Sequence, residues 1–497
     1  MHANDQTDIP LPQGDSFMGH PRLLWMLLFA TVWFNFAFYG FRAFLAPYVA
    51  QAFFANLPQA EAIQQANLLF AGFGTLLYGL PILGGWVADN VLGEVRAVRL
   101  SFWLMIPALL GMASPSREGF LLALAAWVLA VGLNIPLTVL IGRNYANNDP
   151  KRDAGYTLYY LAINFGGFIA PFICAAWIGV HYGYRWGFVA AAVGETLGLL
   201  AFEWRQHRLP GAGDKPRFHR RWSVPVVVLA WLALIVPTAL LMAYPNALHY
   251  AVYALMALLL AYFIFSSMRR GDRVQSQRYI ALLLLFVALI AFWAMSLLSA
   301  SALNFFARDH VAALWNGTLL GIGWSYLSFQ SANPLYILIL AIFVAMLWPW
   351  LDRHGLNPST PRKFGIGLLL VALGYGVLWF AIARLQLPDG KVAAWTLLVC
   401  YLCSTLGELA LSPIGYALIG KLAAPDETSL AMGGWFFGVG VSYDLSGQIA
   451  ALTTAHGNTG IAGYEHVFAW LLIGGVAIAL VYLITAPWIV KLMHGVR

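Results

Sequence analysis

Gly407-Glu408-Leu409-Ala410-Leu411-Ser412-Pro413-Ile414-Gly415 places a carboxylate deep inside an apolar stretch, 392–419. That stretch is long enough to cross a bilayer as a helix. A charge at such depth is costly, so it is expected to face a polar cavity and to have a function there. The same apolar texture runs outward from this segment in both directions. The 497-residue chain is 61% hydrophobic and only 10% charged, whereas a soluble chain carries about 25% charged residues. Apolar runs of about 20 residues recur from end to end, each matching the hydrocarbon thickness of a membrane. The alternating segments of about 10 residues that mark a β-barrel are not found. The reading is an all-α integral membrane protein.

Fourteen membrane helices are expected. Helices 1 to 6 run approximately over 22–54, 63–88, 95–114, 118–146, 153–180 and 184–206. Two further segments follow at 222–243 and 247–268. Helices 7 to 12 run over 278–308, 320–350, 363–385, 391–422, 429–456 and 465–493. This divides the chain into a tail (1–21), a six-helix bundle (22–206), a linker with two extra helices (207–277) and a second six-helix bundle (278–497). The tail reads as short and soluble, without the basic cluster of a signal peptide.

Lys and Arg set the expected orientation. With both termini in the cytoplasm, 22 of the 28 basic residues fall on that side and five on the other, with Arg42 left within the membrane. The net charge of +7 is then a topology signal near anionic lipid, and no nucleic-acid partner is implied. Cys174, Cys400 and Cys403 give no disulfide framework, and the Cys400/Cys403 pair reads as helix packing. No nucleophile–base spacing, metal-ligand cluster or phosphate-binding glycine loop is seen, so an enzyme is not expected.

Two six-helix halves with an insertion suggest a transporter of the major facilitator type, whose halves rock about a midplane site. Gly84-Gly85-Trp86-Val87-Ala88-Asp89-Asn90-Val91-Leu92-Gly93, with Arg96 after it, resembles the loop between helices 2 and 3 of such proteins. Asn90 stands there where a basic residue is commoner. The stretch from Asp149-Pro150-Lys151-Arg152 through Asn164-Phe165-Gly166-Gly167 to Pro171 is similar to helix 5 of the proton-dependent oligopeptide transporter family. Phe329-Gln330-Ser331-Ala332-Asn333-Pro334-Leu335 resembles helix 8 of that family, and 407–415 its helix 10. The resemblance covers nearly the whole chain.

The departures are equally specific. Family helix 1 reads ExxERFxYYG, whereas this chain has Thr31-Val32-Trp33-Phe34-Asn35-Phe36-Ala37-Phe38-Tyr39-Gly40. Both glutamates and the arginine are missing, and one tyrosine is Phe38. The helix 4 lysine aligns near Asn134, and the Glu-Gln pair of helix 7 is Leu297-Leu298. The family's standard coupling network therefore does not transfer.

A dipeptide is a zwitterion, so a selective site needs a cation for its carboxylate and an anion for its ammonium. The resemblance implies Arg42 for the first and Glu408 for the second, from opposite halves. It implies Asn164 and Asn333 as amide contacts, with Ser412 beside Glu408, although Asn333 could instead cap the helix break before Pro334. Phe38, Tyr39, Trp293 and Trp435 are candidate aromatic walls, with core packing as the alternative. For the coupling proton, Glu408 is the first candidate and Asp309 the second, the latter as an outer gate. His310 has a suitable ordinary pKa but reads more simply as an exposed loop residue. Glu195 and Asp444, acids inside apolar segments, either replace the missing helix 1 carboxylates or pair structurally.

The resemblance implies a proton-coupled importer of di- and tripeptides with a variant coupling route. It would act as a multi-pass monomer in a bacterial inner membrane, in contact with lipid and without a cofactor other than the proton. The alternatives are the same fold carrying nitrate, a drug or another small substrate, and a non-transporting membrane sensor.

Overall fold

The computed structural model describes residues 16–495 except 147–148, 315–317, 320–321, 324 and 458–459. Side chains at 318–319, 322–323, 412–417 and 456 also lie outside the description. Among the described residues, twelve helices are long and apolar enough to cross a bilayer. They include Arg22–Arg42, Gln59–Leu92, Lys151–Tyr182, Arg273–Ala300, Tyr326–Arg353 and Ile461–Leu492. Glu94–Gly111 and Thr428–Leu452 are helices of similar length and bring the total to the fourteen expected. Glu94, Arg96 and Arg99 at its start reduce the apolar character of the first. Five glycines with Ser442, Asp444, Ser446 and Gln448 do so for the second. Both are packed against other helices, so neither depends on lipid contact to stay within the bundle.

Arg22–Arg42 packs against Tyr184–Arg205 and Lys151–Ala170, and Glu94–Gly111 joins Arg117–Val131 and Tyr184–Arg205. Thr360–Arg384 is the hub of the second bundle, held by Ile461–Leu492, Ala394–Leu422 and Arg273–Ser296. Two prolines accompany breaks in the regular helices, where they remove a backbone N–H. Pro136 follows the 3-10 turn Gly132–Asn134, and Pro171 opens the π-helical stretch Pro171–Gly179.

The bundles meet along two seams. Gln59–Gly79 lies against Thr428–Leu452, and Lys151–Ala170 against Ala332–Arg353. Glycine makes the first seam possible: a Cβ on Gly74 would lie 1.9 Å from the Tyr443 ring. Small residues allow such close approach in membranes, where dispersion and hydrogen bonds drive helix association. Thr75 Oγ1 donates to the Gly440 carbonyl at 3.0 Å on this seam, and Ser331 Oγ to the Phe168 carbonyl at 2.8 Å on the other. Beyond the end of Arg22–Arg42, Asn304 Nδ2 donates to the Ala43 carbonyl at 2.9 Å and ties the halves there.

The inserted helices divide between the bundles. Ser223–Ala243 lies on Arg117–Val131, where Trp231 Nε1 donates to the Ala126 carbonyl at 3.1 Å. Pro245–Arg270 lies on Arg273–Ser296 and Thr428–Leu452. At its end, Glu427 accepts from Ser266 at 2.6 Å, Tyr262 at 3.0 Å and Tyr279, and pairs with Arg270 at 3.2 Å.

Candidate functional site

Arg42 is the last residue of its helix, and Phe38 and Tyr39 sit four and three positions before it, on the same face. The guanidinium carbon lies 5.9 and 5.8 Å from their ring centroids and 5.9 Å from that of Phe70. This aromatic collar offers cation–π stabilisation in a place with little water. Arg42 Nε is buried without a hydrogen-bond partner. Tyr39, Tyr78 and Tyr443 interact electrostatically with the cation, and Tyr443 also hydrogen-bonds it. Phe38 itself stacks on Trp127 at 5.6 Å, which fixes the collar to the first bundle.

The opposing half contributes Glu408. Its helix, Ala394–Leu422, places Thr405 one turn earlier on the same face. Asn333 Nδ2 donates to Glu408 Oε2 at 2.9 Å and to Thr405 Oγ1 at 3.0 Å. Thr405 in turn donates to the Tyr401 carbonyl at 2.8 Å. Asn333 is thus a strut for the carboxylate, and the helix that contains it starts without a side-chain cap. Arg42 and Glu408 act on each other electrostatically across the interface, and Tyr39 feels both. Gly167 closes the gap between Tyr39 and Pro334: a Cβ there would lie 3.2 and 3.3 Å from them.

Other expected residues are placed differently. Asn164 is 3% exposed, and its amide donates to the Tyr160 carbonyl of its own helix at 2.9 Å. Trp293 is half-buried and edge-on to Phe292 at 5.5 Å. Trp435 is buried within the second bundle, near Phe286 at 5.7 Å and Phe364 at 6.3 Å. Ser412 lies one turn beyond Glu408 on the same helix, and its side chain is outside the described residues. Asp309 forms a bidentate pair with Arg308, its chain neighbour, at 2.7 and 2.8 Å. The His310 ring packs against Phe306 and Tyr464. Asp444 Oδ2 bonds His249 Nδ1 at 2.6 Å. Glu195 is fully buried, and neither carboxylate oxygen has a hydrogen-bond partner.

The positions of the missing helix 1 motif close on themselves. Thr31 Oγ1 donates to the Leu27 carbonyl and Asn35 Nδ2 to the Thr31 carbonyl, both at 2.8 Å. Leu297 and Leu298 are buried in a 3-10 turn, and Asn134 is buried with its Oδ1 unpartnered. At the end of the first bundle remote from Arg42, an acid beside the glycine-rich loop and one of the linker converge on Arg143. This residue bonds Glu94 at 2.7 Å and Asp214 of the linker at 3.1 Å. Asn90 accepts the Phe218 N–H and donates to the Trp86 carbonyl, so it docks the linker on this loop.

Sequence reasoning missed Thr405, Tyr443 and His249. The spacing of Thr405 from Glu408 would have found the first. The other two carry no local signal, because their partners come from distant helices.

A model of the POT family matches residues 108–467 of the chain. The peptide transporter YePEPT of Yersinia enterocolitica is 32% identical over 459 residues, covering 87% of this chain and 88% of that protein. A di-/tripeptide transporter of Lactococcus lactis is 29% identical over 506 residues, covering 97% and 98%. A crystal structure of the peptide transporter POT in complex with sulfate superposes with a TM-score of 0.82 at 29% identity, covering 97% of each chain.

Proposed function

We propose, from the premise that this chain belongs to the POT family, that it imports di- and tripeptides together with protons by alternating access. The observation that carries this reading is the pair of opposed charges at the interface. Glu408, held by Asn333 from the second bundle, faces Arg42 of the first, whose Nε has no protein partner. A peptide ammonium takes Glu408 and its carboxylate takes Arg42, so one zwitterion ties the halves together. Charge-assisted bonds at both ends compensate the desolvation of the peptide termini. The rings of Phe38, Tyr39 and Trp293 bound the space for variable side chains, and Asn333 Oδ1 can accept from the peptide backbone.

Glu408 carries the coupling proton in this reading. A peptide ammonium favours its ionised form and an unoccupied low-dielectric site the neutral one, so peptide entry drives the proton off Glu408, and symport requires that this proton leave to the cytoplasm with the peptide. No cofactor takes part. The chain is a multi-pass protein of a bacterial inner membrane, active as a monomer, with both termini in the cytoplasm. The distribution of Lys and Arg supports that orientation, and the basic linker around Arg217–Arg221 then lies near anionic lipid.

Proteoliposomes test the reading. With an inside-negative potential and an acidic exterior, labelled dialanine accumulates and excess di- or tripeptide blocks it. Exchange without accumulation means that the peptide site is intact and coupling is lost. Absence of both sinks the peptide reading and favours another cargo or a sensor.

A further inference from the structure

Asp444 is a buried acid on Thr428–Leu452, and its partner comes from outside the two six-helix bundles. His249 Nδ1, on the inserted helix Pro245–Arg270, meets Asp444 Oδ2 at 2.6 Å. The Asp444 side chain is 6% exposed and that of His249 30%, so the imidazole is the more accessible member. The Tyr253 ring stands 4.6 Å from the imidazole, and Tyr250 5.4 Å.

Two features connect this pair to the rest of the molecule. On one side, Asn246, one turn before His249, lines a cavity of about 650 Å³ together with Glu61, Gln64, Gln65 and Thr454. This polar lining admits water, and in the orientation proposed above the cavity opens to the outside. Nearby on the same seam, Asn67 is fully buried with both amide atoms unpartnered. On the other side, the chain neighbour Tyr443 fills the space left by Gly74, stacks on Tyr78 at 5.5 Å and interacts with Arg42. A movement of Thr428–Leu452 at Asp444 therefore moves a side chain of the candidate peptide site.

We propose that His249 and Asp444 together bind the external proton, a proton site built partly on the inserted helix. The proposal rests on the proton-coupled reading above and names an outer uptake group for it. A neutral imidazole beside a carboxylate has net charge −1. A proton from the outer aqueous phase converts it to imidazolium and carboxylate with net charge 0, and no bond other than N–H is made or broken. The proton leaves by the reverse step, so nothing else is consumed. Removing a net buried charge favours the packed arrangement of the three helices, and losing the proton restores the charge and loosens it.

Among the described residues, the titratable groups around the pair are few. Pro245–Arg270 contributes Tyr250 and Tyr253, Thr428–Leu452 contributes Tyr443, and Gln59–Gly79 contributes Glu61 at the cavity and Tyr78 at Tyr443. Those of Arg273–Ser296 (Arg273, Arg278 and Tyr279) lie in its opening turns, where Tyr279 bonds Glu427, and Ser223–Ala243 has none.

His249→Gln and Asp444→Asn test the assignment in proteoliposomes. Each is expected to lower proton-driven dialanine accumulation by about tenfold or more and to flatten its rise with external acidity, while peptide exchange persists. Asp444→Glu keeps part of the coupling. Infrared pH-difference spectra of the purified protein need no substrate. They are expected to show a titrating imidazole band that His249→Gln removes and Asp444→Asn shifts. Wild-type accumulation in both variants overturns the proposal, as does an imidazole spectrum unchanged by either. If the wild type moves no peptide, the cargo assignment fails, and the spectra still decide the proton site.

Discussion

Glu408→Gln separates recognition of the peptide ammonium from everything else the site does. The amide has the shape of the carboxylate, and its Oε1 can still accept the bond that Asn333 Nδ2 makes to Glu408 at 2.9 Å. Local structure should survive, and what disappears is the charge opposite the ammonium. A hydrogen bond to a charged group contributes about 1.5–3 kcal/mol, so apparent affinity for dialanine should fall roughly 10- to 150-fold. N-acetyl-dialanine lacks the ammonium and should lose little. The assay is competition against labelled dialanine in counterflow, with both ligands against wild type and variant. Proton-driven accumulation is expected to vanish, while exchange persists at raised peptide concentration. An equal loss for both ligands would place the ammonium elsewhere, and driven uptake at the wild-type rate would remove Glu408 as the essential proton site.

Arg42→Gln should produce the mirror result: peptides with a free carboxylate lose affinity, while C-terminal amides are little affected in the same competition assay. Gly74→Ala forces a methyl group to within 1.9 Å of the Tyr443 ring. The seam must open or the helix shift, at a cost of about 1–3 kcal/mol, seen as lower thermal stability in detergent together with slower transport. At Glu427, burial alone would raise the carboxyl pKa, but bonds from Ser266, Tyr279, Arg270 and Tyr262 outweigh it and hold it down, from 4.5 to about 2. A depressed carboxylate stabilises the fold above its ordinary pKa and loses that effect as pH falls toward 2. Glu427→Gln should therefore destabilise the protein at pH 7, on the order of 2 kcal/mol, with a gap from wild type that narrows below about pH 4.5. Denaturation in detergent across that range measures it, and a gap independent of pH would contradict the ionised assignment.

Much of the fold was legible because the bilayer imposes it locally. Each spanning segment must satisfy its own backbone hydrogen bonds, so length and apolar content alone mark a helix. Glu408 and Arg42 were legible for the same reason, since a charge within such a segment stands out against its surroundings. Glu94–Gly111 and Thr428–Leu452 were assigned as helices although their polar content weakens that signal, and both take up packed positions within the fold.

The sequence by itself thus determined the class, the helices and the two opposed charges of the candidate site. Tertiary structure decided the partners. Asn333 could have capped a helix break, yet it braces Glu408. Asp309 pairs with its own neighbour, and Asp444 with a histidine 195 positions away. Trp435, expected as a candidate wall, is buried among aromatics of its own bundle, and Glu195 is enclosed with no hydrogen-bond partner. Hydropathy depends on each residue and its near neighbours along the chain. The choice among several possible partners for a polar side chain depends on which helix faces pack together, and that is set by close contacts between distant segments, such as Gly74 against Tyr443.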